Sequence, residues 1–221
     1  LYTAFAGMRR PPILALTATA TPEVRQDIIG TLAMQEPLEI VTGFDRPNLA
    51  YGVLGECDKP ARLRDILRST LHVATQGAGE AGVSARRSGS AIVYAATRRS
   101  VEAITSMLRE HRIPAEPYHA GLRMDERQRT QERYRSGATP VIVATSAFGM
   151  GIDKPDIRVV VHYELPGSLE AYYQEAGRAG RDGRPAHAVL FFSSQDVGTQ
   201  QFLLRSNAPT EAEVRAVYHL L

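Results

Sequence analysis

Arg178 and Arg181 stand three residues apart in YYQEAGRAGRDG, residues 172–183. Glycine and alanine surround them, so another group can come close to the backbone there. Read as a helix, a spacing of three sets both guanidiniums on one side. A planar guanidinium grips phosphate through paired N–H donors. In nucleotide hydrolases an arginine of this kind stabilises the charge spread over a transferred phosphoryl group, for a rate gain of roughly 10³–10⁵. Gln174, one turn earlier, is placed to orient a neighbour or a water. The same residue types also allow a plainer arrangement, surface ion pairs of the arginines with Glu175 and Asp182.

The rest of a phosphate site is missing from the sequence. There is no G-x-x-x-x-G-K-[ST] loop, and GFDRPN and GMGIDKPD do not match the G-x-G-x-x-G dinucleotide pattern. No acidic pair follows a strand to hold magnesium. The arginines therefore read as half of a site, with the triphosphate presented by another domain.

Bulk properties narrow the class. Of 221 residues, 43% are hydrophobic and 23% charged, an ordinary globular mixture. No apolar run approaches the roughly 18 residues that span a bilayer, and no signal-peptide pattern is present. The single cysteine, Cys57, makes neither an internal disulfide nor a thiolate metal site, which fits a reducing cytoplasm. The formal net charge is only +2, but arginines cluster at 86–87, 98–99, 123–135 and 178–184, while lysine occurs only at Lys59 and Lys154. The chain begins at Leu1 rather than methionine, so a piece of a longer protein is expected.

Patterning supplies the elements that must position these residues. Residues 11–21 read as a buried strand leaving its sheet, and Thr21-Pro22-Glu23 as the capped start of a helix. The stretch 38–54 is extended and broken by Asp-Arg-Pro-Asn, and a linker is placed there. Leu63, Ile66, Leu67 and Leu71 form a helical stripe. Residues 74–90, rich in glycine and serine, read as a flexible surface insertion that carries Arg86 and Arg87. Beyond it strands and helices alternate: a strand at 91–97, a helix capped by Thr97, a strand near 114–119, a helix that stops at Gly137, strands at 140–145 and 157–166, a helix over 168–181, a strand at 186–193, and a helix from about Ser194. Thr210 and Glu213 form a capping box for the last helix. Strands that are apolar throughout predict a parallel sheet covered on both faces, a three-layer α/β fold with ligands at the carboxyl ends of the strands.

Five stretches in order, LALTATAT, IVYAATRRSVE, YHAGL, VIVATSAFGMGIDKPDIRVVVHYELP and YYQEAGRAGRDG, resemble the later motifs of superfamily 2 helicases. With FDRPN and AFGMGIDKPD, the wording is most similar to the RecQ DNA helicases. The HRIGRTGR typical of DEAD-box RNA helicases is absent. The resemblance implies two RecA-like domains with ATP and magnesium between them, the phosphate loop and metal motif belonging to the first. It assigns residues 1–37 to the tail of that first domain, 38–200 to the whole second domain, and 201–221 to the start of a further helical or linker region.

The resemblance also implies roles. Arg178, Arg181 and Gln174 act at the ATP phosphates, with Asp153 and Gly151 on the cleft side. Thr17 and Thr19 couple hydrolysis to strand movement. Thr97, Arg98, Tyr118, His119, Gly121, Thr145 and Ser146 contact the phosphates of single-stranded or forked DNA. Plainer roles stand beside these: Thr97 as a helix cap, His119 as a satisfied turn histidine, Thr145 as a strand-end hydroxyl bonded locally. The expected activity is that of a 3′-to-5′ DNA helicase in the full-length protein, cytoplasmic, bacterial and nucleoid-associated. It is expected to act as a monomer, with the first domain as its partner in cis and no membrane. The chain alone is expected to be inactive. Two alternatives remain at this point, a non-catalytic nucleic-acid-binding module descended from a motor and half of an RNA helicase.

Overall fold

The computed structural model describes residues 12–17, 20–41, 45–72, 89–149, 153–207 and 215. The chain divides into two compact units that part between Arg46 and Pro47. In the first unit, helix α1 (Pro22–Thr31) opens as expected: the Thr21 hydroxyl accepts the Val24 N–H, and Pro22 begins the helix. The strand expected over 11–21 is not seen in its described part. Residues 12–17 have no regular structure and are mostly exposed. A strand is held by ladder bonds to a neighbour, and the described residues of this unit hold no second strand. The Val24, Ile28 and Ile29 stripe of α1 likewise covers no core of its own, and no residue of the helix is buried.

The second unit runs β1 (Leu49–Leu54), α2 (Lys59–His72), β2 (Ser90–Tyr94), α3 (Arg98–Glu110), β3 (Ala115–Tyr118), α4 (Met124–Arg135), β4 (Val141–Ala144), β5 (Ile157–His162), α5 (Leu169–Ala176), β6 (Ala186–Phe191) and α6 (Ser194–Asn207). Six strands form one sheet in the order β1-β6-β5-β2-β4-β3, and every pairing is parallel. The central strands β2 and β4 are buried along their whole length, as continuous apolar runs require. Their side chains alternate between two clusters. Ala91, Val93, Val141, Val143, Val159 and Val161 pack with Leu63 and Leu67 of α2 and Val101, Ile104 and Leu108 of α3. Ile92, Tyr94, Ile142, Ala144 and Val160 pack on the other face with Tyr134, Phe148, Ala176 and Ala179. Period-two alternation over two cores is the three-layer α/β architecture. The capping box at 210–213 and the residues Arg86 and Arg87 lie outside the described residues.

One expectation fails at a decisive place. The helix expected over 168–181 ends at Ala176, with Gly177 as its cap, and turns follow to Asp182. Glycine costs a helix interior about 1 kcal/mol relative to alanine, and three glycines fall between 177 and 183. The Gly180 N–H donates to Ile157 O of β5 at 2.8 Å instead of continuing a helical ladder. Gly180 sits at φ 63°, and a Cβ there would lie 2.6 Å from Asn48 Nδ2 and 2.9 Å from Ala186 Cβ. The arginines therefore lie on a turn, not on one side of a helix. That turn meets the amino ends of β5, β6 and β1, the opposite edge from Thr97, His119 and Thr145.

Asn48 ties the edge together. Its Nδ2 donates to Gly180 O at 2.7 Å and to Arg184 O at 2.9 Å, and its own carbonyl accepts the Ala186 N–H at 2.9 Å. Asn48→Ala leaves two turn carbonyls without that partner. Urea unfolding of the chain should show a loss of about 1–3 kcal/mol, with the slope against denaturant unchanged.

Candidate functional site

The arginine turn is built against the loop that joins β4 to β5. Arg178 Nη1 donates to Gly149 O at 2.6 Å. Gly149 holds φ +136°, and a Cβ there would fall 2.3 Å from the Arg178 Cζ, so only glycine lets the guanidinium lie across that peptide. Arg178 Nε is buried and has no hydrogen-bond partner. Arg181 Nη1 donates to Asp153 Oδ1 at 3.0 Å, and the Asp153 side chain is 85% exposed. The structure thus brings Arg178 and Arg181 onto one loop, the first at Gly149 and the second at Asp153. Gln174 is exposed on the last turn of α5, and Gly151 lies outside the described residues.

The plainer ion-pair arrangement is not what the turn adopts. Glu175 turns inward and accepts from His162 Nε2 at 2.9 Å, and Asp182 pairs with Arg158. Among the described residues, Arg178 makes no ion pair with a carboxylate. Two positive heads thus face a main-chain carbonyl and one solvent-facing acid, which suits a site awaiting an anion. Burial pushes the neighbouring Tyr94 phenol well up, and the positive Arg178 beside it pulls the other way.

Lys154 holds the same loop from its other side. Its Nζ pairs with Asp156 Oδ1 at 3.0 Å, approaches Arg135 O at 3.5 Å and lies 5.5 Å from the Tyr134 ring centroid. An ammonium at a helix's last carbonyls is favoured by the helix dipole. Among the described residues no group of three His, Cys, Asp or Glu side chains is arranged to hold a metal ion.

At the carboxyl edge the loops satisfy one another. Thr97 caps α3, its hydroxyl accepting the Ser100 N–H at 3.0 Å. Glu164, past the end of β5, accepts the Ala96 N–H at 2.6 Å and the Ser100 hydroxyl at 2.9 Å. One of the protein's own carboxylates therefore sits beside the start of α3. Arg98 lies across Gly121, where a Cβ would be 3.0 Å from its Nη1. His119 is 6% exposed, donates from Nε2 to Glu102 Oε1 at 2.8 Å and accepts the Gly121 N–H on Nδ1 at 3.2 Å. Both of its ring nitrogens are used. Tyr118 packs edge-on against Phe148 at 4.7 Å within the core, so its ring does not line the surface row expected of it. Thr145 donates its N–H to Tyr118 O at 3.2 Å, and Ser146 is exposed. Thr17 is exposed in the first unit, and Thr19 lies outside the described residues.

Sequence reasoning missed Glu164, Glu102, Tyr94 and Lys154. The acid two residues before a proline in HYELP and the rarity of lysine were visible signals. Their partners, up to 68 residues away, were not.

The helicase conserved C-terminal domain family matches residues 63–183. The ATP-dependent DNA helicase RecQ of Bacillus subtilis is 43% identical over 204 residues, which cover 92% of this chain and 32% of that protein. The ATP-dependent DNA helicase hus2/rqh1 of Schizosaccharomyces pombe is 46% identical over 197 residues, 88% of this chain and 14% of that protein. The chain thus spans a third or less of these relatives. A solved structure of Saccharomyces cerevisiae Dbp5 L327V bound to RNA and ADP BeF3 superposes with TM-score 0.62 at 24% identity, covering 86% of this chain and 47% of that one. This last likeness speaks for the RecA-like fold alone. With more than half of its residues matched by the family and RecQ likeness along most of its length, the chain belongs to the helicase conserved C-terminal domain family and is of RecQ type.

Proposed function

We propose that the chain is the second motor domain of an ATP-dependent 3′-to-5′ DNA helicase. Arg178 and Arg181 would hold the phosphates of ATP against a preceding RecA-like domain. The reading rests on one observation above the rest. Both arginine heads converge on the loop between β4 and β5 without an interior carboxylate to neutralise them, and Arg178 keeps a buried Nε unpartnered. The orphaned buried donor fits an anion supplied from outside the unit. ATP, when bound with magnesium, supplies the phosphoryl transfer; this chain supplies charge stabilisation and the closing surface. Asp153 holds Arg181 at the loop, and Gln174 stands exposed one turn before Arg178. The likeness to relatives that are named ATP-dependent DNA helicases supports the same activity.

On the carboxyl edge we assign DNA phosphate contact to Arg98, Ser146 and the backbone around Gly121, with Thr97 and Thr145 shaping the row. His119 and Tyr118 support it from beneath. These groups touch phosphate rather than base edges, which suits movement along any sequence.

In the full-length protein, Arg178→Ala and Arg181→Ala should each lower the turnover number for ATP by roughly 10³-fold or more. Affinity for single-stranded DNA should stay within a factor of about two. Steady-state ATPase assays with DNA titration decide this, and unchanged turnover in both variants would sink the assignment. The 221-residue chain by itself should show no ATP hydrolysis and only weak binding to single strands, falling steeply with salt. Hydrolysis by the purified chain contradicts the half-site reading. Running matched DNA and RNA strands in that titration separates a DNA motor from an RNA motor. Glu164→Gln removes the carboxylate that competes with phosphate at the start of α3. Fluorescence anisotropy should show single-strand affinity rising roughly fivefold at low salt, with the gain shrinking as salt is added.

A further inference from the structure

Tyr94 is the last residue of β2, three residues before Thr97, and its side chain reaches away from that loop into the core, 3% exposed. Its hydroxyl donates to Phe148 O at 3.2 Å. The very next carbonyl, Gly149 O, receives Arg178 Nη1 at 2.6 Å. Adjacent peptide groups of one loop are thus gripped by one residue from each edge of the sheet. That loop also begins with Thr145 and Ser146.

The Tyr94 ring is linked through His162 of β5 to the helix that leads into the arginine turn. It stacks on His162, with centroids 5.4 Å apart and planes at 22°. His162 is fully buried, touches Tyr172 of α5 at 4.8 Å and bonds Glu175, three residues before Arg178. A rigid ring packed on both sides passes a displacement on rather than absorbing it. Movement at the carboxyl end of β2 would shift the hydroxyl and the Phe148 carbonyl it holds, next to the Gly149 carbonyl that receives Arg178. Phenylalanine would fill the same space, so packing by itself does not call for the hydroxyl.

We propose that Tyr94 is a positioning residue that couples the nucleic-acid loops to Arg178 by holding the Phe148 carbonyl beside the one that Arg178 grips. This rests on the reading of Arg178 as the arginine that meets ATP. Coupling requires evidence of energetic linkage and not spatial intermediacy alone. A double-mutant cycle supplies it.

The experiment uses the full-length protein as Tyr94→Phe, Arg178→Ala and the double variant. It measures ATP turnover with and without saturating single-stranded DNA, KM for ATP, DNA affinity and thermal midpoint. Turnover is expressed per folded molecule from circular dichroism, so lost stability does not count as lost turnover. For Tyr94→Phe, DNA-stimulated turnover falls roughly tenfold, KM and DNA affinity stay within about twofold, and the substitution adds nothing in the Arg178→Ala background. Turnover within twofold of the parent, or effects that multiply in the double variant, overturn the proposal. If Arg178→Ala lowers turnover while Tyr94→Phe does not, the Tyr94 assignment alone fails. If Arg178→Ala itself leaves turnover unchanged, both fail together.

Discussion

Gly180 donates its backbone N–H to Ile157, the first residue of β5, and this bond decides where the arginines lie. It takes the donor out of any helical ladder, so α5 stops at Ala176 and the chain turns back along the sheet edge. The conformation excludes a side chain, because φ is +63° and Asn48 and Ala186 fill the space where a Cβ would stand. Arg178 and Arg181 thereby meet the β4–β5 loop rather than projecting together from a helix. Gly149 makes the matching concession on the other side, with a second left-handed φ that lets a guanidinium cross its peptide.

The loop between β4 and β5 is consequently held from several directions. Arg178 and Tyr94 take successive carbonyls, Asp153 takes Arg181, and Lys154 anchors to the end of α4 and to Asp156. Each contact is modest by itself, since a hydrogen bond contributes only about 0.5–1.5 kcal/mol net. Together they hold the described parts of the loop, residues 145–149 and 153–156, against their neighbours. That bracing suits a segment which begins among the strand ends on one edge and finishes beneath the arginine turn on the other.

The carboxyl edge shows the opposite economy of charge. Glu164 occupies the start of α3, and Glu102 occupies His119. Two carboxylates thus sit among the groups proposed as phosphate ligands, and a phosphate bound there would meet Arg98 and backbone donors in a partly screened field. Under the proposed function, such weak, exchangeable contact suits stepping along a strand, whereas a deep cationic trap would hold the strand in place.

Much of this was legible in the order of residue types. Apolar strands without alternation, the Thr21 and Thr97 caps, the glycine stop at 137 and the glycine-flanked arginines all act locally, through sterics and through bonds within a few residues. They determined the layered α/β class and the span of most elements, and they singled out Arg178 and Arg181 as the candidate pair. Residues 12–17 resisted the same reading because a strand exists only where a neighbour completes its ladder. The extent of α5 resisted it because an acceptor on β5 competed with the helix for the Gly180 N–H. Glu164 with Ala96, Tyr94 with Phe148, and Lys154 with Arg135 were decided by the tertiary structure alone. Which carboxylate fills which N-terminus, and which carbonyl receives which donor, depends on elements brought together across long stretches of chain, and spacing along the sequence carries no record of that.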